Sequence, residues 1–491
     1  MPIVETHKLA PKSLSAGDNL QAYCGLDCMI TFEVLEELEK LFNRPPEVYD
    51  FKLALQAPAL EMMLRGFKID GMERRNGIEL LSQQIAELEE TLNSFAQAYC
   101  GRNLNARSHD QCKKFFYETL KLPEVWISQK GVRKLSINRE ALEKLEVYFH
   151  AQIIVACILA IRDLSKRRSV LETEVDADGR MRTSYNIAGT ESERWSSSAN
   201  AFGTGTNLQN ITPELRKMFI SDPGWKLCGI DLEQAESREV GFLFGSLFGD
   251  WSFLDACEGG DLHTTTARLI WPDLITDRKS AEQPFYRHMS YRDMAKRGGH
   301  LTSYMGTAWT ASRSLKVPLP IMERFQNAFV SAYPSFPRWW RHCAQCLQTE
   351  QRITTPFGNT RIFFGRANDD STLREAIAHS PQSATALRLN LALYRVWKRL
   401  GTRVQLIAQV HDALYFQYRE SDDEVEVLQE ALACISTPMV EPRSGRVFDV
   451  PGEAKLGWNW GSFGPANPDG LAKFKGKADT RTRTTALSRV M

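Results

Sequence analysis

Two aspartates stand where a folded sheet could bring carboxylates together. Asp231 ends the short apolar segment Lys226–Asp231, which predicts a buried strand, and Asp412 falls at the turn between two further predicted strands, Gln405–Gln409 and Ala413–Gln417. A carboxylate at a strand end is held by a rigid sheet, and two such groups could share divalent cations. Taken singly, each aspartate is more often an ordinary turn or capping residue.

A second group of polar side chains follows helical spacing. Four residues at steps of four would share one face of a helix: Arg292, Lys296, His300 and Tyr304. Such a face offers two cations for a polyphosphate, then an imidazole and a phenol that could stack on a base. The alternative is a solvated basic helix. The pair Gly298-Gly299 argues against it, because each glycine costs a helix about 1 kcal/mol and so indicates close packing or movement.

The rest of the chain must supply the elements that position these groups. Apolar residues recurring at intervals of three and four predict helices in the N-terminal two-fifths, among them Thr31–Leu41, Leu53–Arg65, Ile78–Ala98 and Arg139–Leu164. The pattern changes at Gly179, and the Gly/Ser/Asn-rich segment 196–206 is a predicted boundary. A helix is predicted over Gln234–Leu247, directly after the Asp231 strand, and a further strand over Arg361–Phe364.

Composition limits the class of protein. The chain has 491 residues, 43% hydrophobic and 25% charged, which predicts about three globular domains and excludes a disordered or fibrous protein. No apolar run approaches the ~18–20 residues that span a membrane, and the unpaired spacing of the ten cysteines favours a reducing cytoplasm. Lys and Arg number 61 against 60 Asp and Glu. This balance leaves two alternatives, no nucleic-acid partner or basic surfaces offset by an acidic site.

In chain order, the first acidic segment, the basic helix and the second acidic segment resemble motifs A, B and C of the family A, polymerase I-like DNA polymerases. Asp231–Arg238 resembles D-Y-S-Q-I-E-L-R, Arg292–Tyr304 resembles R-x3-K-x3-F/Y-x3-Y, and Gln409–Asp412 matches Q-V-H-D. Flanking segments agree as well: Asn207–Ile211, Leu215–Ile220, Gly260–His263 and Gly457–Trp460. The resemblance covers residues 53–463, and His300, where Phe or Tyr is usual, is similar to bacteriophage members.

The resemblance implies an α+β fold shaped as a right hand, with a helical thumb, an antiparallel-sheet palm and helical fingers. It predicts six segments: a short helical remnant of a 3′–5′ exonuclease domain (1–50), the thumb (51–189), the first part of the palm (190–238), the fingers (239–350), the second part of the palm (351–463) and a basic, disordered tail (464–491). The tail prediction rests on composition, because residues 465–491 carry six basic and two acidic side chains and few large apolar ones.

The implied reaction is template-directed addition of a deoxynucleotide to a primer 3′-hydroxyl. By this similarity Asp231 and Asp412 would bind two Mg²⁺ ions, with Mn²⁺ as an alternative and the Leu232 carbonyl completing a metal shell. Lys296 would protonate the leaving pyrophosphate and is the third implied catalytic residue.

The resemblance implies seven side chains that bind the incoming nucleotide: Gln234, Glu236, His263, Arg292, Lys296, His300 and Tyr304. Glu236 matches a steric-gate glutamate that crowds a ribose 2′-hydroxyl, and Tyr304 would stack beside the template base. Three departures bear on activity and sugar selection. Ala413 replaces the usual motif C glutamate, His300 replaces Phe or Tyr, and Met305 interrupts the usual Tyr-Gly.

Primer–template contacts are implied at ten positions: Arg194, Asn207, Gln209, Arg238, Arg374, Gln382, Gln409, His411, Lys166 and Arg168. Arg194 would donate to minor-groove acceptors, and Lys166 and Arg168 would contact phosphates unless they form a solvated helix face. A structural hydrogen bond is an open alternative for four candidates: Gln234, Arg238, His263 and His411. A second alignment register puts Ser383 rather than Gln382 at the family glutamine.

Tyr23 and Asp27 resemble the last exonuclease motif of the family, and 22 residues precede Tyr23. We therefore expect a monomeric polymerase without proofreading of its own, in the cytoplasm (the host's, for a phage protein), served by a separate exonuclease subunit or processivity factor. The expected partners are primer–template DNA and dNTPs, and no membrane. Two rivals stay open: a single-subunit RNA polymerase, which shares the palm, and a non-catalytic DNA-binding protein, which Ala413 would favour.

Overall fold

The computed structural model describes residues 15–41, 47–129, 132–200, 203–287, 289–481 and 483. Contacts divide the chain into two units, Met1–Gln56 and Ala57–Met491. In the first unit, Tyr23 and Asp27 are exposed side chains one turn apart on a single helix. Among the described residues, no helix is long and apolar enough to cross a membrane.

Helices dominate the secondary structure. The described α-helices are α1 (Ala16–Leu41), α2 (Glu47–Arg65), α3 (Gly71–Cys100), α4 (His109–Lys113), α5 (Arg139–Leu145), α6 (Gln152–Glu172), α7 (Ala235–Phe248), α8 (Ser252–Glu258), α9 (Leu262–Ile270), α10 (Arg278–Ala281), α11 (Tyr291–Ser303), α12 (Ala308–Leu315), α13 (Leu319–Ala332), α14 (Ser335–Thr349), α15 (Asp370–Leu400) and α16 (Glu424–Ile435). A π-helical segment, Lys114–Thr119, follows α4 directly.

The strands are short and pair antiparallel. They are β1 (Phe67–Ile69), β2 (Trp126–Gln129), β3 (Val132–Leu135), β4 (Arg180–Met181), β5 (Ser184–Asn186), β6 (Ser196–Ser198), β7 (Phe219–Ile220), β8 (Trp225–Leu232), β9 (Pro284–Tyr286), β10 (Met289–Ser290), β11 (Arg352–Thr354), β12 (Thr360–Ile362), β13 (Val404–Val410), β14 (Ala413–Arg419), β15 (Met439–Val440), β16 (Val447–Phe448), β17 (Gly452–Gly457) and β18 (Ala472–Lys473).

The largest sheet, which we call the central sheet, has five strands in the order β13-β14-β8-β17-β18. Its middle strand β8 is buried along Lys226–Ile230, as the apolar pattern predicts, and is hydrogen-bonded on both sides. In that register Asp231 lies opposite Ala413 on β14 and opposite Glu453 on β17. The hydrogen bonds to both neighbouring strands therefore fix the position of Asp231 along the strand direction.

The sequence predictions for the central sheet are confirmed with small shifts. The strands predicted on both sides of Asp412 are β13 and β14, and the helix predicted after Asp231 is α7. The strand predicted over Arg361–Phe364 is shorter and lies outside the central sheet, because β12 pairs with β11 in a separate hairpin. Phe364, expected within that strand, is 94% exposed beyond its end.

The helix that carries the predicted basic face packs closely on its neighbours. A Cβ atom at Gly298 would lie 2.7 Å from the Phe325 ring of α13, and one at Gly299 would lie 3.1 Å from the Phe329 ring. Both distances are shorter than van der Waals contact. A side chain at Gly298 would clash with the Phe325 ring, and one at Gly299 would require the Phe329 ring to shift by a few tenths of an ångström. Of the two explanations for the glycine pair, the structure supports close packing.

A buried ion pair joins the helix after β8 to the long helix α15. The Arg388 guanidinium of α15 donates to the Glu239 carboxylate of α7, and both side chains are almost completely buried. Arg388 also donates to the Thr437 carbonyl and stacks over the Phe448 ring at 4.8 Å. These three contacts from one side chain thus connect α7 and α15 to the segment around β15 and β16.

The C-terminal residues correct the prediction of a disordered tail. Residues 464–481, which we call the C-terminal strap, lie against the central sheet, and β18 within them pairs with β17. The buried Lys226 ammonium binds Asp479 at 3.1 Å as well as Glu424 at 2.8 Å, and Arg481 donates to the Leu456 carbonyl at 2.6 Å. Composition failed here because ion pairs and backbone hydrogen bonds hold much of the strap, while one of its few large apolar side chains, Leu471, packs against the core. Residues 482 and 484–491 of the predicted tail lie outside the described residues.

Removing one partner of the buried ion pair should destabilise the protein strongly. We expect Glu239→Ala to lower the free energy of unfolding by about 3–5 kcal/mol, because it leaves the Arg388 charge buried without its counter-ion. Chemical denaturation followed by circular dichroism measures the change. The matched control is Glu426→Ala, which removes the exposed partner of Arg403 and should cost less than about 1 kcal/mol. Equal losses in the two variants would contradict the prediction.

Candidate active site

The structure brings the two predicted aspartates together at one end of the strands of the central sheet. Asp231 is the penultimate residue of β8, and Asp412 is the second residue of the two-residue turn between β13 and β14. The Leu232 amide donates to the Asp412 carbonyl at 3.1 Å, which ties the turn to β8. Both aspartates and Leu232 line a cavity of about 350 Å³. Asp412 is a turn residue, which was the ordinary structural role open to it, and its side chain also lines this cavity.

The electrostatics of the two carboxylates favour a bound cation. Desolvation at the cavity wall raises the pKa of Asp231 to about 6; Lys455 opposes the rise, and the nearby negative charges, Asp412 first, add to it. Burial also raises the pKa of Asp412, against the opposing charge of Arg194. Two carboxylates that are hard to ionise together are stabilised by a divalent ion.

The donor set fits Mg²⁺ or Mn²⁺. Carboxylate and carbonyl oxygens are the ligands these hard ions prefer, and they tolerate a shell completed by water and substrate oxygens. Among the described residues, no group of three or more His, Cys, Asp or Glu side chains forms a complete metal site. Asp231 and Asp412 would therefore hold such ions only together with oxygens from outside the side chains, such as the Leu232 carbonyl.

Glu236 links three parts of the cavity wall. It stands in the first turn of α7, where it accepts a hydrogen bond from the Tyr304 hydroxyl at the end of α11 and another from the Arg194 guanidinium. Arg194 also lies 3.7 Å from Asp412. Burial and the Glu236 charge raise the pKa of Tyr304 well above its ordinary value, so the phenol stays a donor. Glu236 is thus held in place from two directions.

Behind Arg194, a chain of buried amides supports the loop. Gln209 donates to Gln409, Gln409 donates to Asn390, and Asn390 donates to the Glu193 carbonyl, each at 3.4 Å. Gln409, a predicted DNA contact, is 2% exposed. Its amide supports the loop that presents Arg194, and its contact with a duplex stays a prediction.

The second residue of the turn after β8, Gln234, has a left-handed backbone conformation. Gln234 has a φ of 52°, in the left-handed region, and it redirects the chain from β8 into α7 so that Asp231 and Glu236 face the same cavity. Its side-chain amide donates to the Gly260 carbonyl at 3.3 Å. Gln234 itself lines the cavity, as the sequence prediction required of a nucleotide contact.

Arg238, a predicted DNA contact, lies between two helices. Its side chain is 7% exposed and donates to the Cys257 carbonyl at 3.4 Å, at the interface of α7 and α8. Arg238 follows the cavity residue Glu236 by two positions, which turns it to another side of the helix, into the packed interface. This hydrogen bond is a structural role of the kind that the sequence left open, and the contact with DNA stays a prediction.

The predicted basic helix contributes unequally to the cavity. Lys296, His300 and Tyr304 line it, with the rings of His300 and Tyr304 in edge contact at 5.1 Å. Arg292 does not line it. Its guanidinium instead makes two hydrogen bonds to Asp261, the residue that caps α9, at 3.0 and 3.1 Å.

His263 enters the same cavity from α9. Burial lowers the pKa of its imidazole to about 4, and the positive charges of Arg292 and Lys296 add to the effect. The side chain is therefore neutral near pH 7 and offers a neutral donor or acceptor rather than a third cation.

The remaining predicted DNA contacts do not line the cavity. Arg374 and Gln382 occur two turns apart on one face of α15, and both are partly exposed, whereas Ser383 of the alternative register is buried. Four others complete the set. Lys166 and His411 are exposed, Arg168 is paired with Glu172 at 3.2 Å, and the Asn207 side chain accepts from the Ser197 hydroxyl at 2.5 Å.

Two residues of the site were not predicted from the sequence. Asp261 has a local signal, since an aspartate before a run of helix formers is a typical N-cap, but nothing in the chain identifies its partner Arg292. Asn390 has no signal at all, because it lies in the middle of a long helix and meets the Arg194 loop only through folding.

Comparison with solved structures identifies the fold. The polymerase domain of Pol1 from M. smegmatis, solved in complex with DNA primer-template and dNTP, superposes with a TM-score of 0.67 at 20% sequence identity, over 83% of this chain and 69% of that one. The described structure, rich in helices with antiparallel sheets, therefore has the α+β right-hand polymerase fold that the sequence predicted.

Sequence comparison identifies the family. The chain matches DNA polymerase family A over residues 75–462 and belongs to that family. Relatives include DNA polymerase I of Chloroflexus aurantiacus, 26% identical over 90% of this chain and 46% of the relative, and the thermostable DNA polymerase I of Thermus filiformis, 28% identical over 77% and 44%. The thermostable DNA polymerase I of Thermus aquaticus is 28% identical over 74% and 42%. The chain thus spans less than half the length of these relatives.

The environment of His263 should be visible in its titration. We expect its imidazole to stay neutral down to pH 5 and to titrate near pH 4, because burial and two nearby cations disfavour the charged form. NMR of histidine-labelled protein measures the midpoint, with His263→Asn to assign the signal. Arg292→Gln should raise the midpoint by removing one cation. A midpoint near 6.5 in the native protein would contradict the prediction.

Proposed function

We propose that this chain is a DNA-directed DNA polymerase, which adds deoxynucleotides to a primer 3′-hydroxyl as directed by a template. The observation that carries the proposal is the meeting of Asp231 and Asp412 at the cavity that Lys296 and Tyr304 also line. Membership of DNA polymerase family A supports it. The Pol1 domain of the same fold binds primer-template and dNTP, which are the partners we propose here.

The proposed right hand divides the second unit among its elements. The central sheet with α15 and α16 is the palm. Residues 239–350, which include most of α7 and all of α8–α14, are the fingers, and the helical pair α3 and α6 is the thumb. The exonuclease remnant at residues 1–50, the absence of proofreading, the separate subunit and the phage context stay predictions.

Asp231 and Asp412, with the Leu232 carbonyl, would hold Mg²⁺. When bound, such ions lower the pKa of an attacking hydroxyl and neutralise charge on a leaving phosphate. The aspartates themselves orient the reacting groups at the sheet edge, since β8 and the β13–β14 turn hold them rigidly.

Lys296 places a positive charge on the cavity wall. Its exposed ammonium has no carboxylate partner within the described residues, so it is available for a triphosphate. The same ammonium can give a proton to the pyrophosphate oxygen as the bond to the transferred phosphoryl group breaks. Arg292 lies one helical turn earlier on α11, towards the far end of an extended triphosphate.

Glu236 and Tyr304 form the part of the cavity wall that discriminates deoxyribose from ribose and stacks against the base. Two hydrogen bonds hold the Glu236 carboxylate, so it cannot swing away to admit a ribose 2′-hydroxyl. The Tyr304 ring beside His300 offers an aromatic surface for stacking. We expect a deoxyribose to bind beside this wall without displacing either group, because it has no 2′-hydroxyl.

The duplex would be bound mainly through its phosphates. Five of the predicted contact residues are accessible enough to reach a duplex: Arg194, Lys166, Arg374, Gln382 and His411. Contacts with phosphates weaken as the salt concentration rises. The net charge of +1 is compatible with this surface, because local positive charge attracts DNA while acidic groups gather at the sheet edge.

Loss of the β8 aspartate should separate chemistry from binding. We expect Asp231→Ala to reduce Mg²⁺-dependent primer extension by about 10³-fold or more, while primer–template affinity in fluorescence anisotropy stays within a few fold. Asp273→Ala, which removes an exposed aspartate outside the cavity, is the control and should extend normally. A wild-type chain that binds DNA but never extends a primer would support the non-catalytic rival instead.

Loss of the Glu236 carboxylate should relax sugar selection. We expect Glu236→Ala to lower the preference for dNTP over NTP by about 10- to 100-fold, since the group that crowds the 2′-hydroxyl is gone. The ratio of kcat/KM values for the two nucleotides measures it. Tyr304→Phe, which removes only one hydrogen bond to Glu236, should have a smaller effect. A native preference for NTP would overturn the choice of a DNA polymerase over an RNA polymerase.

A further inference from the structure

Asp261 lies outside the cavity and makes an ion pair with Arg292, which lies near the edge of the cavity. Asp261 accepts from Arg292 Nε at 3.0 Å and from Nη2 at 3.1 Å, a bidentate pair in which both side chains are about three-quarters buried. The pair connects the N-terminus of α9 to the first turn of α11. Arg278, the other cation near this carboxylate, lies 4.0 Å away and is largely exposed, so Arg292 is the main partner.

The geometry of the Asp261–Arg292 ion pair leaves part of the guanidinium available for hydrogen bonds to a ligand. Asp261 occupies the edge formed by Nε and Nη2, and within the described residues Nη1 makes no hydrogen bond. Arginine has five donors in a rigid plane, so fixing one edge also fixes the direction of the other. An arginine held in this way keeps its remaining donors aimed in one direction and retains less rotamer freedom to lose on binding.

The neighbours of the pair indicate what the free edge would bind. His263 follows Asp261 by two residues and lines the cavity, and Lys296 follows Arg292 by one turn and lines it too. A chain of phosphates that leaves the cavity past these two side chains would next meet Arg292. We propose that Asp261 is a positioning residue for the nucleotide triphosphate, which acts by orienting Arg292. This inference rests on the proposed function.

Two other roles for Asp261 make different predictions. A carboxylate that merely competes with the triphosphate for Arg292 would weaken nucleotide binding, so its removal would strengthen it. A carboxylate that only caps α9, where it accepts from the Thr264 amide at 3.2 Å and hydroxyl at 2.8 Å, would matter for stability alone. Asparagine and serine cap helices about as well as aspartate but carry no charge, so they separate these roles.

The test uses the full chain with Asp261→Asn and Asp261→Ser in primer extension. We expect the KM for dNTP to rise about five- to tenfold in both variants, with kcat within about twofold of the native value, because only the binding of the triphosphate is weakened. Melting temperatures should stay unchanged. Asp277→Asn, which alters the equivalent cap of α10, is the matched control and should leave KM unchanged. An unchanged or lowered KM in both Asp261 variants would overturn the proposal.

A double variant tests whether Asp261 acts through Arg292. In an Arg292→Ala background, Asp261→Asn should produce no further rise in KM, since the group it orients is absent. An additional rise equal to that seen in the native background would mean that Asp261 acts by another route, and would also overturn the proposal.

A binding experiment separates this inference from the proposed function. Isothermal titration of the native chain with inorganic tripolyphosphate and Mg²⁺ needs no polymerase activity. We expect weaker binding in Asp261→Asn by a similar factor, and equal binding in the two proteins would overturn the role of Asp261. If the native chain fails to extend primers but shows this loss, the proposed function is wrong while the positioning role stands.

Discussion

The position of one backbone strand determines the rest of the site. β8 is hydrogen-bonded to β14 on one side and to β17 on the other, so Asp231 cannot shift without breaking two ladders. A one-residue slip would turn its carboxylate to the opposite face of the sheet. The Asp412 turn, the left-handed Gln234 and the first turn of α7 all take their positions from this strand. The C-terminal strap adds the strand that completes the same sheet at its β17 edge.

Charged side chains of both signs gather around the cavity. Arg194 bridges two of the acidic groups, Glu236 and Asp412. From α11, Lys296 lines the cavity and is unpaired within the described chain, while Arg292 on the same helix is paired with Asp261. Such a cluster creates a local field in a chain whose total charge is nearly zero. The total charge of the chain therefore does not exclude a negatively charged partner.

Local signals in the sequence predicted the elements well. Apolar runs found β8, β13 and β14, and spacing by four found the face of α11. Two residues show what such signals leave out. Arg238 and Gln409 are polar residues in or next to the Asp231 and Asp412 segments, yet both side chains are buried. Burial depends on which helices and strands pack over a residue, and the contacts of both side chains with DNA stay predictions. The tail was misjudged because composition does not count backbone carbonyls as partners for Arg481.

The sequence alone determined which groups were present and which lay on a common face, because helical and strand periodicity are local properties of the chain. Tertiary structure decided which charged groups pair. Arg292 meets Asp261 across 31 residues and Arg388 meets Glu239 across 149, and no local rule selects either partner. These choices follow from the packing of whole elements, since an ion pair at a buried interface forms only where both side chains lose water together. The role of Arg292 as an oriented rather than a free cation is therefore a property of the folded chain.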